Sequence, residues 1–302
     1  MSADRPILLM TRIWPTRERP SVGTYIRART AGVAGLRVVG PRWQRLPRPL
    51  IYPLMLIEAL RSGPIRGVEA HMLIPTGLVG LIVARLRGVP LIVYAHGSDV
   101  RHWRNLPGPI RWLAQRVARR ADRLVTNSED TAGHLRDLGG RPEVIPPGVD
   151  LSRFVPSPRP RARRVLYLGG RNSNKGYEIA LGLADTLVGP WLRDVDPAEV
   201  PALIAAHDVV LVPSVNEAFG LVAVEAIASG RWVVARAAGG LPDIVREGVN
   251  GTLVSDGDFA GAIARMPDYD PDTIAPTVAR FGLRRWQEAM ARIWDEVAPT
   301  DG

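Results

Sequence analysis

The 302-residue chain contains no cysteine. Disulfides, thiolate metal sites and cysteine nucleophiles are therefore excluded, and a reducing compartment such as the cytoplasm suits it. Long apolar runs are missing as well. The best of them, Met72 to Ala84, is interrupted by Pro75 and two glycines. It falls short of the roughly 18 residues needed to span a bilayer. The apolar run near the start, Ile7 to Met10, is too short for a signal peptide. The expectation is a cytoplasmic protein, soluble or peripheral on the inner face of the membrane. Lysine is nearly absent too: of 39 basic residues, Lys175 is the single lysine. A high-GC coding preference explains arginine in general. It does not explain one retained lysine, which points to a need for a compact, flexible ammonium.

Charge is unevenly spread. Residues 1–150 carry 23 arginines against 11 acids, whereas the remainder is slightly acidic, within a net charge of +9. The first half is suited to an anionic partner: a phosphorylated or lipid-linked acceptor, a phospholipid surface, or nucleic acid. Within it, Pro41 to Met55 interleaves arginines with Trp43, Tyr52 and large aliphatics. Such a surface either lies on anionic lipid or packs its apolar side chains down as a proline-rich loop.

Apolar runs bounded by turn residues alternate with helical patterns in both halves. Strands are expected at 6–12, 36–40, 68–73, 90–95, 124–126 and 143–150, then at 165–168, 209–212, 231–236 and 251–255. Helices are expected between them, including 25–34, 77–87, 110–121, 129–138, 177–187, 197–207 and a terminal 286–297. The proline-rich stretch Val155 to Arg161 reads as a linker. The pattern predicts two doubly wound α/β domains facing a cleft, with boundaries at 1–155 and 162–283. A terminal helix from about 284 to 302 is expected to pack back on the first domain.

In such sheets ligands bind beyond the carboxyl ends of strands, and four polar clusters fall there. Gly23 follows the first strand. His96-Gly97-Ser98-Asp99 ends the fourth. There His96 meets a substrate hydroxyl or is merely hydrogen-bonded, and Asp99 serves the acceptor or caps the next helix. In the second half, Gly169 to Gly176 places Arg171 and Lys175 in a glycine-bounded loop that suits a diphosphate clamp. It lacks the spacing of a P-loop. Finally, Pro213 to Ala226 carries Glu217 before an apolar helix and Glu225 within it. A carboxylate on an apolar helix either pairs with an arginine or meets a ligand. With the helix taken from Phe219, six residues separate it from Glu225, about 9 Å at 1.5 Å each. That spans a diphosphate between a hexose and a ribose, with the phosphates on the helix N-terminus. Asp194-Val195-Asp196 resembles a metal-holding D-x-D but lies where a helix start attracts acids anyway.

With these motifs in this order, the chain resembles a family-4 retaining glycosyltransferase of GT-B fold. The resemblance rests on Gly23-Thr24-Tyr25, on His96 to Asp99, and on Val144-Ile145-Pro146-Pro147-Gly148-Val149-Asp150 with Phe154. It rests further on Gly170-Arg171 with Lys175-Gly176, the Glu217/Glu225 pair, and Gly239-Gly240-Leu241-Pro242-Asp243. It implies a hexosyltransferase that retains anomeric configuration and uses neither metal nor cofactor. The donor would be a nucleotide diphosphate sugar, and the setting cell-envelope or exopolysaccharide assembly. It implies that Arg171 and Lys175 neutralise the diphosphate and leaving group. Glu217 would bind the sugar, backbone around Phe219, Gly220 and Leu221 would receive sugar and phosphate oxygens, and Glu225 would take the ribose. Gly23 would approach the diphosphate, and His96, with Asp99, would lie on the acceptor side. The second domain is expected to be shortened, because only 41 residues separate Lys175 from Glu217. Arg231-Trp232 stands where the family has a small residue and proline. A nucleotide-sugar epimerase, a basic nucleic-acid-binding protein and a sugar-nucleotide binder without turnover remain the alternatives.

Overall fold

The computed structural model describes residues 5–15, 23–30, 33, 35–43, 45–193 and 195–299. Residues 16–22 and Asp194 of the D-x-D lie outside them. Two compact units are present, residues 1–147 with 286–302, and residues 148–285.

The first unit is a six-stranded parallel sheet of order β2-β1-β3-β4-β5-β6. Its strands are β1 (Ile7–Met10), β2 (Leu36–Val39), β3 (Gly67–His71), β4 (Leu91–Ala95), β5 (Arg123–Thr126) and β6 (Pro142–Val144). The intervening helices are α1 (Thr24–Thr30), α2 (Arg48–Leu60), α3 (Thr76–Arg87), α4 (Gly108–Arg120) and α5 (Glu129–Asp137). Strands β1 (Ile-Leu-Leu-Met) and β4 (Leu-Ile-Val-Tyr-Ala) are continuous apolar runs and fully buried, as expected of parallel strands inside a covered sheet. Leu8, Met10, Val68, Ala70 and Val93 pack in one core with Met55 and Ala59 of α2 and Val79 and Val83 of α3. The stretch 41–55 therefore forms a 3-10 turn and a helix, with Ile51 and Met55 packed inward and Leu46 and Leu50 exposed.

The second unit is a five-stranded parallel sheet of order β11-β10-β9-β7-β8. Its strands are β7 (Val165–Tyr167), β8 (Thr186–Leu187), β9 (Val209–Val212), β10 (Trp232–Arg236) and β11 (Gly251–Val254). Its helices are α6 (Tyr177–Leu181), α7 (Val200–Ala205), α8 (Leu221–Ala228), α9 (Phe259–Ala264) and α10 (Pro271–Ile274). The terminal α11 (Leu283–Val297) starts in this unit, and its residues from Trp286 onward belong to the first. There the Trp294 ring occupies the space a Cβ on Gly67 would need, and Trp286, Met290 and Ile293 are buried.

Several sequence expectations shift. The helix expected over 177–187 stops at Leu181, and Thr186–Leu187 instead pairs with β7 as a short edge strand. The carboxylate of Asp185, accepting from the Val165 N–H at 2.7 Å, fixes that register. Residues 148–155, expected with the first domain, belong to the second. Val149 donates to the Phe281 carbonyl at 2.8 Å and accepts from Leu283 at 2.8 Å, while Phe154 packs in the second core. The 155–161 stretch is tied to this unit rather than free. The fully buried Arg231 guanidinium donates to the carbonyls of Ser157 and Ala205, at 2.8 and 2.9 Å. Arg231 and the neighbouring Trp232, whose indole donates to Thr252 at 3.1 Å, thereby fill the place where the family pattern has a small residue and proline.

Candidate functional site

In the second sheet, β7 runs to β8 on one side and to β9 on the other. This is the point where strand order reverses and where the carboxyl ends of neighbouring strands open a crevice. The two loops marked in the sequence leave from there: 168–176 from β7 and 213–220 from β9. They are locked to each other. Gly176 adopts φ 75°, and a Cβ there would stand 2.4 Å from the Pro213 carbonyl oxygen. Val215 N–H donates to the Asn174 carbonyl at 2.9 Å. Only glycine allows this approach.

The lock brings Lys175 Nζ to 2.8 Å from Glu217 Oε2, with the lysine side chain 38% exposed and the glutamate 13%. The Glu217 carbonyl in turn accepts from Gly240 N–H at 3.0 Å, which ties in the Gly239-Gly240 turn. Arg171 lies in the same loop, exposed and without an ion pair among the described residues. Its N–H donates to the Pro190 carbonyl at 2.9 Å. The next residue, Trp191, was not singled out by sequence. It holds φ 67° and is 85% exposed. A tryptophan in left-handed backbone with its ring in solvent is costly unless the ring has a use.

Helix α8 begins at Leu221, two residues later than the sequence spacing assumed. Four helical steps, about 6 Å, therefore separate its start from Glu225. Gly220, at φ 117°, precedes it, and no side chain caps its first turn. Free N–H groups there are suited to an anion. The Phe219 ring is buried edge-on against Phe281, with centroids 5.3 Å apart, so only its backbone faces a ligand. Glu225 is partly open, and its carboxylate makes no hydrogen bond or ion pair among the described residues. Of the two readings of this carboxylate, the arginine salt bridge is not formed among the described residues. Burial pushes its pKa up to about 7, against the pull of the Arg153 charge.

In the first unit the strand order reverses between β1 and β3. Gly23, after β1, adopts φ 74° with Ile13 O 2.8 Å from a would-be Cβ, so it is needed for a tight turn. Asp99 does not cap a helix: Oδ1 accepts from His96 N–H at 2.9 Å and Oδ2 from Leu73 N–H at 2.5 Å. It braces the loops after β3 and β4 to each other. Burial raises its pKa, and the backbone hydrogen bonds oppose that shift. His96 is 8% exposed, stacks on Tyr94 with centroids 4.8 Å apart, and meets the Tyr25 ring at a tilt, 5.2 Å away. Its Nε2 lies 2.9 Å from Nδ1 of His71, whose Nε2 lies 3.2 Å from Glu69. Neither Glu69 nor His71 was singled out. The available signal was a glutamate and a histidine two apart in an otherwise apolar strand, and so on one face of it.

No group of three or more metal-suited side chains occurs among the described residues. Asp196 turns to its own backbone, accepting from Ala198 N–H at 2.8 Å. No helix among the described residues is long and apolar enough to cross a membrane.

Glu225 gives a first prediction. Its folded pKa lies above the unfolded value of 4.5, so the charged form is disfavoured in the native state. The cost is absent below pH 4.5 and complete above about pH 7. Glu225→Gln is expected to stabilise the ligand-free protein at pH 8 by on the order of 2 kcal/mol, reduced for partial exposure, and to be neutral at pH 4. Denaturant unfolding at the two pH values checks this; equal effects at both contradict it.

A family model described as Glycosyltransferase Family 4 matches residues 8–153, and one described as Glycosyl transferases group 1 matches residues 151–267. The chain is 32% identical to a D-inositol 3-phosphate glycosyltransferase of Salinispora arenicola, covering 97% of this chain and 81% of that protein. It is 33% identical to a protein of the same name from Mycolicibacterium vanbaalenii, over 66% of this chain and 59% of the relative's length. The chain thus spans about three fifths of that relative. Among solved structures, sucrose-phosphate synthase from Thermosynechococcus elongatus aligns with TM-score 0.76 at 20% identity, over 97% of this chain and 98% of that one. Anabaena HepE in complex with UDP and glucose aligns with TM-score 0.71 at 20% identity, over 96% and 99%. The fold is that of GT-B glycosyltransferases, and the chain belongs to glycosyltransferase family 4.

Proposed function

We propose that the chain transfers a hexose from a nucleoside diphosphate sugar to a hydroxyl of an anionic acceptor, with retention and without a metal. The observation that carries this reading is the pairing of Lys175 with Glu217 across two locked loops at the strand-order reversal, with unpaired Glu225 one helical turn beyond. Lys175 and Arg171 would neutralise the diphosphate as the sugar–phosphate bond breaks. The uncapped first turn of α8 would take phosphate oxygens, Glu217 the sugar hydroxyls, and Glu225 the ribose. The work is electrostatic preorganisation around a departing diphosphate and an oxocarbenium-like carbon. Ribose hydroxyls would satisfy a carboxylate the protein leaves unpaired. The exposed Trp191 ring, beside the Arg171 loop, would stack on the base. A UDP-bound relative of this fold supports the class of donor.

A thermal-shift series over nucleoside diphosphates and their sugars tests the donor site. At least one is expected to raise Tm by several degrees. Lys175→Met and Glu225→Ala should each weaken that binding about tenfold or more, and Trp191→Ala severalfold. No stabilisation by any of them would sink the donor assignment.

The acceptor reading rests on the first unit. A hollow of about 330 Å³ at the carboxyl ends of β1 and β3 is lined by Arg12, Arg48, Tyr52, Met72, Ile74 and Thr76. Arg12 makes no ion pair among the described residues. Two guanidinium groups in a hollow suit a phosphate. Exposed Leu46 and Leu50 flank Arg48, so the phosphate belongs to a lipid-linked acceptor at an anionic bilayer surface, in cell-envelope or exopolysaccharide assembly. Vesicles containing anionic lipid should co-float the protein, and Leu50→Glu should release it. Robust transfer to soluble phosphorylated saccharides with no vesicle binding would replace the lipid-linked reading.

A further inference from the structure

Behind His96 lies a buried row of polar groups in the middle of the first sheet. Glu69, on β3, is sealed from solvent. Its Oε2 accepts from Arg29 at 3.2 Å and from the Trp294 indole at 2.9 Å, and its Oε1 faces His71 Nε2 at 3.2 Å. Burial pushes the carboxyl pKa up, but the Arg29 charge and the hydrogen bonds from His71 and Trp294 outweigh it and hold it at about 2. Glu69 is therefore an anion, able only to accept.

That fixes the proton at one end of the row. His71 must carry hydrogen on Nε2, because a lone pair there would face the carboxylate. With His71 neutral, its Nδ1 is a lone pair and accepts from His96 Nε2–H across 2.9 Å. His96 then presents its other nitrogen, Nδ1, as a lone pair. That atom has no partner among the described residues, and it is absent from the sealed, unpaired polar atoms. It is open to a ligand.

We propose that Glu69 and His71 are positioning residues that hold His96 as the Nε2–H tautomer, so that Nδ1 accepts a hydrogen bond from a sugar or acceptor hydroxyl. Burial depresses the pKa of His96, with the neighbouring His71 adding to that and Glu69 opposing it, so the imidazole stays neutral near pH 7 and keeps its acceptor lone pair.

The hydroxyl-holding role rests on the transfer reading above, whereas the tautomer does not. Nitrogen NMR of the full chain labelled in histidine tests the latter without any activity. At pH 7.5 His96 should show the Nε2–H tautomer. His96 found as Nδ1–H at neutral pH would overturn the proposal. Glu69→Gln, whose amide no longer demands a hydrogen on His71 Nε2, should let His96 populate the Nδ1–H tautomer in the same spectra. It should leave nucleotide-induced stabilisation unchanged. A merely structural Glu69 would leave the His96 tautomer as it is in the wild type, and that result also overturns the proposal. Should the variant misfold through its unpaired Arg29, the wild-type NMR decides. The expected NMR pattern in a protein that transfers no sugar would support the tautomer and sink the transfer reading instead.

Discussion

The close contact of Lys175 with Glu217 is the constraint on which the proposed donor site depends. Each group solves a problem for the other. The ammonium is partly exposed and would wander on its flexible stem. The carboxylate is mostly covered and would be costly alone. Paired, they wait in position at low cost. In the proposed site a diphosphate, carrying more charge than one carboxylate, would compete for the ammonium and leave Glu217 facing sugar hydroxyls. That role would account for one lysine in a chain that otherwise uses arginine. A guanidinium would grip the carboxylate in a two-pronged bond and surrender it less readily.

That contact is produced by backbone, not by the two side chains. Gly176 lets the β7 loop reach Pro213, and the Asn174 carbonyl takes the Val215 N–H. The strand order puts β7 beside β9 in the first place. Glu225 shows the opposite strategy: an acid kept on an apolar helix without an ion pair among the described residues, its pKa pushed up to about 7 by burial against the pull of Arg153. The first unit uses a third strategy, an anion sealed with its partners that dictates protons two residues away. In all three, a buried carboxylate is tolerated because of what it does to a neighbour or a ligand.

Much of this was legible in sequence. Alternating apolar runs gave two parallel α/β domains, and loops at strand ends singled out Gly23, His96, Arg171, Lys175, Glu217 and Glu225. What escaped was set by contacts distant in sequence. The two-residue strand β8 is defined by pairing with β7 and has no pattern of its own. The boundary at Pro147 depends on Val149 meeting Phe281 and Leu283. Asp99 read equally well as a helix cap, because nothing local shows that Leu73 N–H would claim it. Glu69 and His71 looked like stray polar residues in a strand, since Trp294, a partner of Glu69, lies 225 residues further on. Trp191 was one aromatic among several until its backbone angle and exposure set it apart.

The most direct measurement is a crystal structure with a non-hydrolysable nucleoside diphosphate sugar bound. The account predicts Lys175 Nζ moved from Glu217 onto the diphosphate, Glu217 on hexose hydroxyls and Glu225 bonded to both ribose hydroxyls. A ligand seated elsewhere, or one bound with the Lys175–Glu217 contact intact and Glu225 still unpaired, would contradict it.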